Sequence, residues 1–252
     1  MSAGPKRVGV EHMGDAVVLD RRTHGILGAL PGPVPQIVEH PDVYRPAVDS
    51  ALLCLGLAEE FRSRPSRLSS AIELCAGAGL ASLYASRWAS TVIAVDRNPA
   101  AIAAMWSNSR ANGVVLDLRC ADVNDLDCSL AADVVLANPP YVPTPSDATR
   151  SALGYACNGG ELGRDVIDSI IERAPILVRP GGTLLLVQST ISDADRTMTA
   201  LSALGFQVSV SHTRTIPFGP VMLGRAAWME ERGLIAPGQR WEQLVVIRAR
   251  RR

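Results

Sequence analysis

The sequence predicts an α/β fold built on a mostly parallel sheet with helices on both faces. Three observations carry that expectation. From residue 69, short apolar runs alternate with longer amphipathic ones. The short runs are nearly continuous in apolar residues, as strands buried on both faces are. The first of them, Ser70–Leu74, runs into the small residues Cys75-Ala76-Gly77-Ala78-Gly79 before a helical pattern starts.

The elements follow in order. Asp15–Asp20 (DAVVLD) reads as a short strand. Residues 31–35 (PGPVP) read as irregular, because three prolines remove donors and fix φ. Residues 1–42 as a whole read as an N-terminal arm or substrate-side flap. Between Pro46 and Phe61, Val48, Leu52, Leu55 and Leu57 recur near helical spacing. Strand Ser70–Leu74 precedes a helix over Leu80–Trp88, and Thr91–Val95 is the second strand. Asn98 is a natural N-cap and Pro99 a natural first helical residue, so a helix runs to about Asn112. Val114–Cys120 and Ala132–Ala137 are the third and fourth strands. A helix over 161–178 is closed by a Pro180-Gly181-Gly182 turn, and Thr183–Gln188 is the fifth strand. Asp193–Leu204 is a helix; Phe206–Ser211 and Gln243–Ile247 complete seven strands. Residues 43–252 thus read as one domain, with 212–242 an insertion before the last strand.

Composition narrows the class. At roughly 100–200 residues per domain, 252 residues make one large domain or two small ones. With 47% hydrophobic and 20% charged residues, the chain can bury a core and is not a disordered one. Lys+Arg and Asp+Glu are both 25, which argues against a dedicated nucleic-acid binder. The five cysteines, Cys54, Cys75, Cys120, Cys128 and Cys157, show no C-x-x-C spacing and no accompanying histidine cluster, so no metal site is expected. Their odd number and the lack of a signal peptide suggest free thiols in a reducing cytoplasm. Apolar runs fall short of the roughly 20 residues that span a bilayer, so no membrane role is expected.

The chemistry-bearing residues gather at strand ends. Glu73 lies in the first strand, next to the Gly77-x-Gly79 turn, whose small residues let backbone approach a ligand. Asp96 closes the second strand, where a carboxylate can accept from a ribose diol. Asp122, in the Cys120-Ala121-Asp122-Val123 turn, can accept from a purine amino group. All three turns lie at the carboxyl edge of the sheet, where open α/β sheets bind ligands. Ser82 stands where the third glycine of G-x-G-x-x-G would fall, and no G-x-x-x-x-G-K-[ST] loop exists. Glu73 would repel a pyrophosphate and suits a cation such as the amino group of a methionine moiety. That points to S-adenosylmethionine (SAM) as cofactor. A tight strand–helix turn with no ligand is the competing account of the glycines.

The fourth strand runs into Asn138-Pro139-Pro140-Tyr141. Two prolines end the ladder and stiffen the loop. The Asn138 side-chain carbonyl and the Pro139 backbone carbonyl can converge on both hydrogens of an –NH2 group, while Tyr141 offers a ring face. Methyl transfer to a planar amide or aromatic amine needs such acceptors, because they strengthen as positive charge develops on nitrogen. No strong base is needed before attack, since the proton can leave afterwards.

The order ELCAGAG, VDRNP, CADV, NPPYVPT resembles the class I SAM-dependent methyltransferases, a Rossmann-like fold. More narrowly it resembles the release-factor glutamine methyltransferases of the HemK/PrmC type. Tyr44-Arg45-Pro46-Ala47-Val48-Asp49-Ser50 is similar to their Y-x-P-x-x-D-[ST] segment. Asn158-Gly159-Gly160-Glu161-Leu162-Gly163-Arg164-Asp165-Val166-Ile167 is similar to their G-G-x-x-G-x-x-[VI] run, and Arg179-Pro180-Gly181-Gly182 to their turn before the fifth strand. The likeness covers roughly residues 43–211. It implies that Tyr44, Pro46, Asp49, Glu73, Cys75, Ala76, Gly77, Gly79, Asp96, Arg97, Asp122, Val123 and Asn138 hold SAM. It implies that Asn138, Pro139, Pro140 and Tyr141 form the catalytic loop, and that a release-factor glutamine is the acceptor.

The chain departs from that family in three places. Only some 42 residues precede Tyr44, so it resembles the shorter branch that often works with a small zinc-binding partner. Cys75 replaces the usual first glycine, as a small buried residue rather than a reactive thiol. Residues 212–242 bring Phe218, Arg225, Trp228, Arg232 and Trp241, which either line a substrate entrance or pack in a hairpin extension. The scattered His12, His24, His40 and His212 read as structural, and Arg248–Arg252 as a solvated tail. Three other readings stay open at this point: an exocyclic base amine of RNA or DNA as acceptor, a small-molecule amine or amide, and a non-catalytic SAM-fold assembly partner.

Overall fold

A computed structural model describes residues 19–63, 67–127, 129–148 and 156–252. Its centre is a seven-stranded sheet: β1 (Leu68–Leu74), β2 (Ala89–Asp96), β3 (Asp117–Cys120), β4 (Ala132–Ala137), β5 (Val178–Ser189), β6 (Phe206–Pro217) and β7 (Trp241–Arg251). The order across the sheet is β3-β2-β1-β4-β5-β7-β6. Strands β1 to β5 pair in parallel, and β7 runs antiparallel to both β5 and β6. The order reverses at β1, so β1 and β4 leave a crevice at their carboxyl ends, as doubly wound sheets do.

The helices are α1 (Arg21–Gly28), α2 (Val48–Arg62), α3 (Leu80–Ala85), α4 (Pro99–Ala111), α5 (Asp165–Leu177), α6 (Ala194–Ala203) and α7 (Pro220–Glu231). The expected capping of α4 is present: Asn98 accepts from the Ala100 N–H and Pro99 opens the helix. Helix α1 was not foreseen. Its apolar stripe is only two turns long, too short for periodicity to register. Its signal was the cap: Asp20 accepts from the N–H groups of Arg22 and Thr23. Asp20 therefore starts a helix, and the rest of the expected strand over residues 15–18 lies outside the described residues.

Four other boundaries differ from the sequence reading. Strand β3 begins at Asp117, and Val115 is 93% exposed. The helix expected from residue 161 begins at Asp165, after a glycine turn. Pro180-Gly181-Gly182 lies inside β5, where the pairing with β4 shifts register between Ala132 and Val134. Strands β6 and β7 run far beyond their apolar centres and form one long antiparallel pair, with Pro217 opposite Trp241. A hairpin can carry exposed polar positions because its ladder, not its side chains, holds it. The two ends of the anticipated insertion, 212–217 and 241–242, are thus strand, and most of the remainder is α7 and the turn after it.

The arginine-rich end is not a solvated tail. Arg248 to Arg251 belong to β7. Arg248 Nε donates to Glu60 Oε2 at 2.8 Å, and Thr183 Oγ1 donates to Glu60 Oε1 at 2.8 Å. Glu60 is buried under the sheet on α2, so this charge needs its partner.

The segment before Tyr44 packs on the same body. Leu27, Leu30, Ile37 and Val43 join the central core. Arg87 donates to the carbonyls of Pro31 and Pro33. Asn112 exchanges hydrogen bonds with the backbone of Gln36, and Asn108 Oδ1 accepts from the Val38 N–H at 2.7 Å. The irregular PGPVP stretch is thereby held by side chains, and the chain reaches the crevice at Val43 and Tyr44. Arg248→Met should cost about 3 kcal/mol, the low end for breaking a buried pair because the guanidinium still meets water. Chemical denaturation at neutral pH measures it.

Candidate active site

One cavity of about 490 Å³ opens at the carboxyl ends of β1, β2 and β4. Each wall comes from a different stretch of chain. The floor is the β1 turn. Cys75 and Gly77 take left-handed φ of 54° and 53°, and Gly79 takes 81°. For Cys75 that conformation costs roughly 1–2 kcal/mol, which explains why glycine would be easier there. Its thiol is pushed up by burial and by the Asp96 charge, so it stays neutral.

Of the residues expected to bind cofactor, Gly79 alone does not line the cavity. It sits at the start of α3, and a Cβ there would lie 2.9 Å from Met105 Cγ. Its role is close packing of α4 against the loop. Asn108 on α4 was not anticipated, because an asparagine within a helix gives no sequence signal. Its Nδ2 donates to the Ala78 carbonyl at 2.9 Å and so ties the loop to the helix.

Three carboxylates stand around this floor. Glu73 Oε2 accepts from the Ser82 N–H at 2.6 Å and from the Ser82 hydroxyl. Burial raises its pKa to about 7, against those two bonds. Asp96 accepts from the N–H groups of Gly77 and Asn98, both at 2.8 Å. Burial raises it as well, and its two backbone bonds oppose the shift. Asp122 accepts from the Asn124 N–H at 3.0 Å and lies 4.0 Å from the Arg97 guanidinium.

The other end of the cavity is organised by Asp49, in the first turn of α2 and 4% exposed. Its Oδ2 accepts from the hydroxyls of Tyr44 (2.9 Å) and Tyr141 (3.0 Å). Its Oδ1 accepts from the Ser50 N–H (2.6 Å) and hydroxyl (3.3 Å). Burial and the Asp49 charge hold both phenols far above their ordinary range, so they remain donors. Ser50 in turn accepts from Asn138 Nδ2 at 3.2 Å. That bond decides which way the amide faces: with its –NH2 on Ser50, the Asn138 carbonyl oxygen is left free for a ligand. Ser50 is a positioning residue that the D-[ST] pattern contained without revealing why.

Tyr141 differs from the sequence expectation of an open ring face. It lines the cavity but is only 9% exposed, with its hydroxyl anchored. The loop behind it explains the glycine run. A Cβ on Gly159 would lie 2.8 Å from the Pro140 carbonyl oxygen, and one on Gly163 would collide with the Tyr141 carbonyl. Gly163 also has φ 71°. The backbone of Asn138–Tyr141 therefore lies directly on these glycines. Buried Arg164 locks the next layer, donating to the carbonyls of Ser192 and Asp193 and to Asp168.

Residues 212–242 follow the second of the two expected readings, a hairpin extension that carries a helix, and not the first for the five residues singled out. None of Phe218, Arg225, Trp228, Arg232 and Trp241 lines the cavity. Ile216, Pro217, Pro220, Val221, Met222 and Glu242 do. Arg225 instead braces the segment after the Asn138–Tyr141 loop from outside, donating to the Pro143 carbonyl at 3.1 Å, to Thr144 Oγ1 at 2.7 Å and to Asn158 Oδ1. Four described cysteines, Cys54, Cys75, Cys120 and Cys157, are free thiols, and Cys128 lies outside the described residues. Among the described residues no group of three His, Cys, Asp or Glu could hold a metal ion, and no helix is long and apolar enough to cross a membrane.

This arrangement has known counterparts. Residues 36–154 match the methyltransferase small domain family. A putative protein N5-glutamine methyltransferase of Methanocaldococcus jannaschii is 33% identical over 186 residues, 73% of this chain and 91% of its own. The chain belongs to the HemK/PrmC-type glutamine methyltransferase family. Methyltransferase HEMK2 of Mus musculus is 30% identical over 173 residues, 66% of this chain and 80% of its own. The E. cuniculi Mtq2–Trm112 complex, responsible for methylation of the termination factor eRF1, aligns with a TM-score of 0.57. It is 24% identical, over 84% of this chain and 99% of that one, and shares the class I methyltransferase fold. In this methyltransferase the glycines behind the loop should be far more sensitive than surface ones. Gly163→Ala should cost more than about 2 kcal/mol. Gly113→Ala, at φ 64° with nothing near the new methyl, should cost only about 1 kcal/mol. Paired urea denaturation curves make the comparison.

Proposed function

We propose that this chain is a SAM-dependent N-methyltransferase acting on the side-chain amide of a protein glutamine, with a translation release factor as the substrate protein. The observation that carries the reading is the fixed orientation of Asn138. Ser50 Oγ accepts from its Nδ2 and leaves the carbonyl oxygen to the cavity, which Pro139 also lines.

The cavity fits the cofactor by its donor set. Glu73 supplies a buried carboxylate for an ammonium group, Asp96 and Asp122 supply acceptors for a ribose and a purine, and Gly77 lines the cavity with Tyr44 as the nearest neighbour of a would-be Cβ, at 3.9 Å. SAM, when bound, supplies a methyl group on a cationic sulfonium. The chain's residues do the rest. Glu73, Asp96 and Asp122 orient by accepting hydrogen bonds. Asn138 and Pro139 accept from the two hydrogens of the amide and hold its nitrogen in line, at an entropic cost already met by the rigid loop. As charge grows on nitrogen, both acceptors bind more strongly, which lowers the barrier selectively. Tyr141 and Tyr44, pinned by Asp49, wall the acceptor end. In our reading a small activating partner protein accompanies the chain, by likeness to the Mtq2–Trm112 pair. Its setting is a reducing cytoplasm, in keeping with the free thiols.

Incubation with release factors and labelled SAM, followed by mass spectrometry of the peptides, tests the acceptor. A methyl group on a glutamine side chain supports the reading; label confined to RNA or to small molecules would sink it. Asn138→Ala should lower turnover by about 10²- to 10³-fold and leave SAM affinity within about twofold. Turnover near wild type would remove Asn138 from its role.

The Glu73 assignment has a pH signature. Its raised pKa, about 7 through burial, means that the carboxyl is largely protonated below that pH and cannot pair with an ammonium. SAM affinity should therefore climb with pH, approaching tenfold per unit below about 7, and level off above it. Glu73→Gln should bind more weakly and show a flat profile. Titration calorimetry across that window reads both.

A further inference from the structure

Two carboxylates face the acceptor end of the cavity, and their situations differ. Asp49 is saturated: its two oxygens take four hydrogen bonds, from Tyr44, Tyr141 and Ser50. Glu242, the second residue of β7, lines the same cavity and is 4% exposed. The Ser189 side chain bonds its carboxylate, yet Oε2 is buried with no hydrogen-bond partner among the described residues. Leaving an acceptor unmet in a buried place costs about 1–3 kcal/mol, more for a charge. A protein keeps such a group where something that binds there supplies the donor.

The reaction needs such a group. When an amide nitrogen is methylated, the N–C bond forms as the C–S bond breaks, and the sulfonium becomes a neutral thioether. The nitrogen then carries one hydrogen too many. Amide carbonyls such as those of Asn138 and Pro139 accept a hydrogen bond but do not keep a proton. Asp49 has no free lone-pair position to receive it.

We propose that Glu242 is a catalytic residue of the acceptor site: its free Oε2 accepts a hydrogen bond from the substrate N–H and takes the proton released after methyl transfer. The carboxylate becomes a carboxylic acid, the product amide leaves neutral, and the proton passes to solvent on product release. This inference rests on the amide-methyltransferase reading and extends it to the fate of the proton.

The surroundings suit that role. Burial first of all, and the Asp49 charge as well, raise Glu242 to about 7, so near neutral pH it can both accept and return a proton. The titratable groups facing it are Asp49 from α2, the Tyr44 and Tyr141 phenols, and Cys157. The two phenols and the Cys157 thiol, the latter raised to about 11 by burial and Asp49, stay protonated through the same range. Across the pair, Ile216 of β6 adds no charge.

The test compares wild type with Glu242→Gln, which keeps the volume and one acceptor oxygen but cannot take a proton. With SAM and a glutamine-bearing release factor both saturating, wild-type kcat should rise with pH through about 7 and then level. Glu242→Gln should lose about 10²-fold in kcat, lose that pH limb, and bind SAM within about twofold of wild type. Saturation removes the Glu73 effect, which acts on SAM affinity. A second readout needs no substrate: difference infrared spectra of the wild-type protein should show a carboxylic-acid band titrating near pH 7 that is missing in Glu242→Gln. An unchanged kcat profile in the variant, or no such band, overturns the proposal and leaves the glutamine reading standing. A wild type that methylates no glutamine overturns that reading, and this inference with it.

Discussion

A single buried carboxylate joins the parts of this protein that must meet for chemistry. Asp49 sits in the first turn of α2, and its oxygens collect hydroxyls from Tyr44 upstream and Tyr141 far downstream. Through Ser50 it also governs Asn138. It thereby ties together two segments widely separated in sequence, Tyr44–Ser50 and Asn138–Tyr141. A carboxylate can do this because it is an acceptor only, with room for about four donors, and burial makes each of those bonds worth satisfying. The Tyr44-to-Ser50 segment and the Asn138-to-Tyr141 loop are therefore two halves of one device. Changing either half disturbs the other.

The loop itself is held from behind by contacts that leave no room. Backbone carbonyls of Pro140 and Tyr141 occupy the places where side chains at Gly159 and Gly163 would project. Arg225 satisfies the Pro143 carbonyl just after the loop, and Arg164 the Ser192 and Asp193 carbonyls of the layer behind it. An irregular backbone segment next to a cavity exposes polar groups that no ladder serves. Here Arg225 serves the Pro143 carbonyl from its fixed fork of donors, and the Ser192 hydroxyl donates to the Tyr141 carbonyl at 2.6 Å. Rigid placement of Asn138 is thus distributed over β4, the glycine run and α7. The C-terminal extension both lines the cavity, through residues such as Met222 and Glu242, and braces the loop beside it.

Much of this was legible in the sequence, and the limits have physical causes. The parallel strands read clearly because burial on both faces makes them continuous apolar runs; Ala132–Ala137 was placed residue for residue. The Asn98 cap and Pro99 gave the start of α4 without ambiguity. Strands β6 and β7 were underestimated because a half-exposed hairpin needs no apolar run at its ends. Arg248 and its neighbours looked like a tail for the same reason. Helix α1 was missed because tertiary packing of Leu27, not helical propensity, sustains so short a helix. At the site, Glu73, Asp96, Asp122 and Asn138 were legible from strand ends and Tyr44 and Asp49 from the family resemblance, whereas Glu242, on a hairpin strand, was not. Those that orient them, Ser50, Asn108, Arg164 and Arg225, were not, since a positioning role depends on contacts between distant segments. Gly79 marks the converse case: a motif glycine whose work is packing against Met105 rather than ligand contact.

The distribution of charge in the cavity accounts for what it can admit. Five carboxylates line it, Asp49, Glu73, Asp96, Asp122 and Glu242, together with the arginines Arg22, Arg45 and Arg97. The lining is net acidic although the chain as a whole is neutral. Such a cavity favours a cofactor that carries positive charge at both an ammonium and a sulfonium, and disfavours phosphates. After transfer the thioether product has lost one of those charges, so its hold on the site weakens at the moment it must leave. At the acceptor end the same acidity selects groups that donate. A primary amide offers two N–H bonds to a set of carbonyl and carboxylate acceptors. A glutamate of nearly identical shape offers none, and would bring a like charge beside Asp49. Selection between these two side chains therefore follows from electrostatics and hydrogen-bond polarity, with shape contributing almost nothing.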